Sequence, residues 1–243
     1  MASYHAVPGN VEGGMPKESV NFTNASIRAG FIRKVFMLVT IMLAVVAIMS
    51  VLPFVHKDIM TYTRNNFWLY GVSYLTFLVV YIVLACCEKV RRSFPSNLIC
   101  TAILTLSIGY MTMMICSVHD IVSVAICFVI TAVCCGTIVL FAMQTKYDLT
   151  SMIGYVFIFS MVLLVFGLVA IISMMFFKIK FLYLIYSGLA ALLFMFYLAI
   201  DVQMIMGGGK YEVSPEDYIL VTIQVFLDII YIFWMLLSLF GRK

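Results

Sequence analysis

The sequence is short of charge. Its 243 residues include 15 basic and 11 acidic side chains, 11% in all, against about a quarter in soluble domains, while 65% of the chain is hydrophobic. So little polar surface cannot cover a water-soluble globule, and the composition is that of a membrane protein. Histidine is also scarce: His5, His56 and His119 stand alone in the tail and loops, so no catalytic or metal-binding constellation can form around them. The seven cysteines, at 86, 87, 100, 116, 127, 134 and 135, show no CxxC spacing and no neighbouring histidine. They read as small packing residues rather than as metal ligands or disulfides. There is no Ser/His/Asp set and no cofactor motif, and neither Ile200-Asp201-Val202 nor Leu227-Asp228-Ile229 supplies the GxGD setting of an intramembrane aspartyl protease. No enzyme, cofactor, metal or nucleic-acid partner is expected.

What is present is long charge-free chain. The gaps run from 35 to 55, 65 to 87, 93 to 119, 121 to 145 and 149 to 177, and about 20 apolar residues cross the hydrocarbon core as a helix. The remainder divides at GGGKYEVSPED into 181 to 209 and 218 to 241, interrupted by Asp201 and Asp228 respectively. Seven spans result, and these two aspartates are the charges inside them. Residues 1–30 are polar and rich in Gly and Pro, and are expected to form a disordered cytosolic tail ahead of a seven-helix domain over 31–243. The first apolar run is of span length with no small-residue cleavage site after it, so it reads as a retained anchor rather than a signal peptide.

With the N-terminus in the cytosol, cytosolic segments hold nine basic residues and the opposite side six, including Arg242 and Lys243. A re-entrant last helix would make the split eleven to four, which leaves the side of the C-terminus open. The sequons at Asn21 and Asn24 would be glycosylated only if the N-terminus faced outward.

The GGGK at 207–210 is not a phosphate loop, because Tyr211 follows it and an apolar run precedes it. Glycine there ends a helix and permits a tight reversal. Ser214-Pro215-Glu216-Asp217 then has the form of a helix start: a capping Ser, Pro in the first turn, acids facing the helix dipole. The loop is therefore a hairpin between antiparallel helices six and seven. Asp201 lies nine residues before Lys210 and Asp228 eleven after Asp217, which places them roughly 13 and 16 Å deep at 1.5 Å per residue. A lone ionised Asp near mid-bilayer costs about 2.5–3.5 kcal/mol on the insertion scale, so each is expected inside the bundle. Facing one another, the two would share a proton as a coupled pair. The alternative is helix-packing glue, with Asp228 bonded to Gln224 or Tyr231 and Asp201 to Tyr197.

The stretches ACCEKVRRSFPSNLI, MQTKYDLTS, AIDVQMIMGGGKYEVSPEDYIL and LDIIYIF, with a terminal LFG, resemble the lifeguard branch of the Bax-inhibitor family from about residue 28 onward. Where that family usually has Asp-Thr-Gln, this chain has Val202, which removes a hydroxyl beside Asp201. The resemblance implies an all-α integral membrane fold of seven helices, with a central C-terminal helix wrapped by two three-helix layers. It further implies that Asp201 and Asp228 form a pH sensor in a calcium-leak pathway, with Arg91 or Arg92 as a basic partner, in a Golgi, endoplasmic reticulum or related endosomal, lysosomal or plasma membrane. Calcium would be the permeant ion, and the implied role is calcium homeostasis and suppression of cell death. A non-conducting adaptor that regulates death signalling or a partner calcium channel is the alternative, and membrane lipid is a partner in either case.

Overall fold

A computed structural model describes residues 17–211 and 213–241, with side chains from Ser26 onward. Among the described residues the regular elements are helices. In chain order they are α1 (Lys17–Val55), α2 (Lys57–Asn65), α3 (Trp68–Cys86), α4 (Glu88–Arg92), α5 (Ser96–Ser117), α6 (Ile121–Gln144), α7 (Ile153–Phe177), α8 (Lys180–Met206) and α9 (Tyr218–Phe240). Seven of them are long and apolar enough to cross a membrane: α1, α3, α5, α6, α7, α8 and α9. The chain is an all-α integral membrane protein. With no water in the bilayer core, only a helix satisfies every backbone N–H and C=O of such runs internally.

The polar segment 17–30 belongs to α1 rather than standing apart from it, so the expected division at residue 30 is not a break in secondary structure. Once a membrane helix is nucleated, adding further residues is cheap, and no proline follows Pro16 until Pro53. Residues 1–16 of the expected tail lie outside the described residues, as do Arg242 and Lys243.

Helices α1, α3 and α5 form one layer and α6, α7 and α8 the other, and the last helix of each triplet packs between the other two. The final helix, α9, lies between the layers against α1, α5, α6 and α8 and is the most buried span. Its sequence sends one apolar stripe each way. Ile219, Ile223, Phe226, Ile230, Phe233 and Leu237 pack with Leu104, Ile108 and Met111 of α5. Val221, Val225, Ile232 and Leu236 pack with Leu198, Val202 and Ile205 of α8 and Val35 and Val39 of α1. Lipid is as apolar as leucine, so these contacts rest on close packing. The second layer uses small residues for it: Ser187, Ala190, Ala191 and Ala199 are buried on α8. Gly167 on α7 leaves room for the Tyr186 ring, 2.6 Å from where a Cβ would stand. Large apolar side chains on the outer helices, such as Leu75, Val79, Val162 and Val165, face outward as the lipid belt.

The starts of α1 and α9, the end of α8, helix α4 and the α6–α7 turn share one end, here the hairpin face. At the other end, the far face, Gly241 lies against His119 after α5, with no room for a Cβ between them. The last helix therefore crosses completely rather than re-entering, and the chain leaves α9 on the side opposite the start of α1.

Candidate functional site

The α8–α9 hairpin sets the geometry. Gly207 and Gly208 take φ of 75° and 85°, the left-handed region that favours glycine, and turn the chain as α8 ends. Ser214 accepts from the Glu216 amide at 3.4 Å, Pro215 opens a single 3-10 turn, and α9 follows. The hairpin holds α8 and α9 antiparallel and in close contact along their length.

That register brings Asp201 and Asp228 together. Both are buried, at 6% and 7% exposure, and their side chains lie close enough to interact. Two carboxyl groups buried side by side cannot both ionise cheaply, and one proton shared between them relieves the repulsion. Gln224, Tyr231 and Tyr197 donate no hydrogen bond to either carboxyl group, so the packing partners offered as the alternative are not engaged. The Oδ2 atom of Asp228 is buried and has no partner among the described residues. Tyr81 of α3, Cys135 of α6 and, on α9 itself, Tyr231 lie within electrostatic reach of the pair. Val202 is fully buried in the apolar cluster with Val221 and Val225.

From the far face a cavity of about 740 Å³ enters between the layers. Met174 and Met175 of α7, Tyr183 of α8, His119, and Trp234 and Ser238 of α9 line it. Trp234, at its inner end, is six residues beyond Asp228, about 9 Å along the helix. Between them stands Tyr231, stacked on Phe194 at 4.8 Å and edge-on to Trp234 at 5.5 Å. The aromatic cluster thus separates the cavity from the acid pair.

The hairpin face is tied shut by polar contacts. Arg28 of α1 donates to the carbonyls of Met204 at 3.0 Å, Met206 at 3.3 Å and Val213 at 3.3 Å, which caps the end of α8. Gln203 accepts from the Leu149 amide at 2.7 Å and donates to the Tyr147 carbonyl at 2.8 Å. Asp148 accepts from Thr150 Oγ1 at 2.5 Å and from the Lys210 amide at 2.8 Å. The Thr150 hydroxyl first, and then the Lys210 amide, hold the Asp148 carboxyl below the usual carboxylate range. Gly209 sits so close that a Cβ there would meet Asp148 Oδ1 at 2.9 Å and Thr150 Oγ1 at 3.1 Å.

Comparison with known proteins bears on what this architecture is. The sequence profile of the family described as "Inhibitor of apoptosis-promoting Bax1" matches residues 28–243, from Arg28 to the last residue. The chain is 40% identical to Protein lifeguard 3 of Mus musculus and of Homo sapiens over 218 residues, 89% of this chain and 70% of each relative. It is 25% identical to Protein lifeguard 4 of Mus musculus over 212 residues, 87% of this chain and 84% of the relative. The chain belongs to the Bax1-inhibitor family, in its lifeguard branch.

Three of the four stretches that carry the lifeguard resemblance meet at one end of the bundle, while LDIIYIF lies within α9. MQTKYDLTS supplies Asp148 and Thr150; the GGGK hairpin lies on them; EKVRRSFP supplies Arg91 and Arg92; and SPEDY supplies their partner. The structure does not bring either arginine to the aspartate pair. Arg91 donates to Asp217 at 3.0 Å and to the Leu84 and Ala85 carbonyls at 3.3 and 3.0 Å. Arg92 donates twice to Asp217, at 3.1 Å each, and pairs with Glu216 at 2.9 Å. Asp217 is eleven residues from Asp228, about 16 Å along α9. The physical reason is that α4 sits at the hairpin face, where both guanidinium groups meet the acids that precede α9. Sequence reasoning missed Arg28, whose partners are backbone carbonyls and leave no side-chain pattern. It also missed the lock at Asp148, although the Asp-x-Thr of KYDLT is a recognisable turn-forming signal.

Proposed function

We propose that this lifeguard-branch protein is a passive, pH-modulated calcium leak in an intracellular store membrane, Golgi or endoplasmic reticulum, with a role in calcium homeostasis and suppression of cell death. The hairpin face, with the N-terminus, is cytosolic. The observation that carries the reading is the buried carboxyl pair, with one orphaned oxygen, set about 9 Å along α9 from the end of a cavity entering from the far face. A shared proton holds α8 to α9 at mid-depth. Loss of that proton sets two like charges against each other, favours a looser packing, and leaves carboxylate oxygens that attract a cation. The polar ties of the hairpin face then form the cytosolic closure, and the Tyr231 cluster the closure toward the cavity.

The second reading, a non-conducting adaptor in death signalling, draws on the same aromatic cluster, which leaves no open path between cavity and pair. Purified protein separates the two. Calcium-loaded liposomes carrying the protein alone are expected to release calcium faster than protein-free liposomes. Release at the protein-free rate over the whole pH range contradicts the leak and favours the adaptor.

A further inference from the structure

The seven cysteines are not equivalent. Cys116, Cys127 and Cys135 are buried, Cys100 and Cys134 are half-buried within spans, and only the adjacent pair Cys86 and Cys87 is exposed. This pair ends a membrane helix. Cys86 is the last residue of α3, and Cys87, at φ −102° and ψ 88°, turns the chain into α4. Helix α3 is an outer helix whose Leu75, Val79 and Ile82 face lipid, so the thiols stand at the edge of an apolar surface that continues down into the bilayer. On the other side follow Lys89, Arg92 and Phe94, the last 79% exposed, a cationic and aromatic collar of the kind that sits at headgroup depth, with Arg91 buried against Asp217. Both thiols are thus accessible at the boundary between headgroup and hydrocarbon.

We propose that Cys86 and Cys87 are a site of S-acylation by a long-chain acyl-coenzyme A. The cysteine sulfur attacks the thioester carbonyl carbon. A new carbon–sulfur bond forms, the bond to the coenzyme A sulfur breaks, and the cysteine proton ends on the coenzyme A thiol, with no change of oxidation state. The attached chain enters the bilayer along the outer face of α3. A juxtamembrane thiol beside basic residues is the setting in which acyl chain and cationic patch hold a surface together. The protein already spans the membrane, so the effect is local: the chain pins the α3–α4 corner. That corner grips the start of α9 through Arg91 and Arg92 on Asp217, so acylation adjusts how firmly the helix carrying Asp228 is held.

The proposal rests on the cytosolic hairpin face given under Proposed function, because acyl-coenzyme A donors are cytosolic. Cells expressing the full chain are fed an alkyne analogue of palmitate, and the label released by hydroxylamine is measured on wild type, C86S/C87S and C100S/C134S. Labile label on wild type and C100S/C134S that falls to background in C86S/C87S is the expected result. No labile label on wild type, or label that persists in C86S/C87S, overturns the site. A membrane-impermeant maleimide is also applied, after hydroxylamine, to sealed vesicles with the cytosolic side outward. If Cys86 and Cys87 react there without any acyl label on wild type, the site fails and the orientation stands. If they react only after permeabilisation, the orientation itself is wrong, and the site falls with it.

Discussion

Arg91 and Arg92 share an acid, Asp217, and their substitution should have very different costs. By number of contacts to acids Arg92 leads, with two bonds to Asp217 and one ion pair to Glu216. Burial reverses the order. The Arg91 side chain is 7% exposed against 39% for Arg92, and Arg91 also holds two carbonyls at the end of α3. Exposed ion pairs exchange with water and contribute about 0–1 kcal/mol. Hydrogen bonds to a charged donor contribute about 1.5–3 kcal/mol each, and truncating the donor leaves buried acceptors unpaired. One of the three Arg91 acceptors, Asp217, keeps Arg92 after truncation. Arg91→Ala should therefore cost about 2–4 kcal/mol and Arg92→Ala much less. The assay is thermal unfolding of purified protein in detergent, followed by loss of the monodisperse peak on size exclusion. Arg91→Ala should melt several degrees below wild type, with Arg92→Ala close to it. Arg91→Lys should recover only part of the loss, because an ammonium cannot span one acid and two carbonyls. Equal losses, or a larger loss for Arg92→Ala, would refute the claim that burial outweighs contact number here.

Two further substitutions probe the hairpin lock. Gly209→Ala places a Cβ 2.9 Å from Asp148 Oδ1 and should lower the melting temperature by the equivalent of about 1–2 kcal/mol, the low end for an overpacked site; an unchanged melt would mean that the α6–α7 turn yields freely. Because the Asp148 carboxyl is held below the usual range, its contribution is complete above the ordinary carboxylate value of about 4 and is lost as pH falls below that value. Asp148→Asn should therefore lower the melting temperature by the same amount at pH 6 and pH 8 and leave any pH profile of calcium release between them unchanged in shape; a displaced profile would make Asp148 part of the sensor.

The spans were legible because charge exclusion is a strong constraint: a run such as 149–177 with no charged residue has few other fates. The hairpin was legible because Gly207, Ser214 and Pro215 act on the backbone within their own neighbourhood. Depth was legible from rise per residue, which put Asp201 and Asp228 nearly level, but helix rotation was not, since it depends on how α9 divides its stripes between two layers. The partners of Arg91 and Arg92 were beyond reach for a related reason. Asp217 is 126 residues from Arg91, and nothing local distinguishes a surface acid from a mid-bilayer one as its mate. The extension of α1 back to Lys17 ran against a composition that reads as loop, because continuity with a stable membrane helix outweighs weak local propensity.

In the proposed function, the carboxyl pair of Asp201 and Asp228 makes the pathway sensitive to protons. Calcium release from liposomes containing wild type, Asp228→Asn or Asp201→Asn, measured across the pH range 5 to 8 at fixed calcium, tests it directly. Release from wild type should change with pH, and Asp228→Asn should flatten that dependence. A mutant profile that rises and falls in step with wild type, at the same rates, would contradict the account.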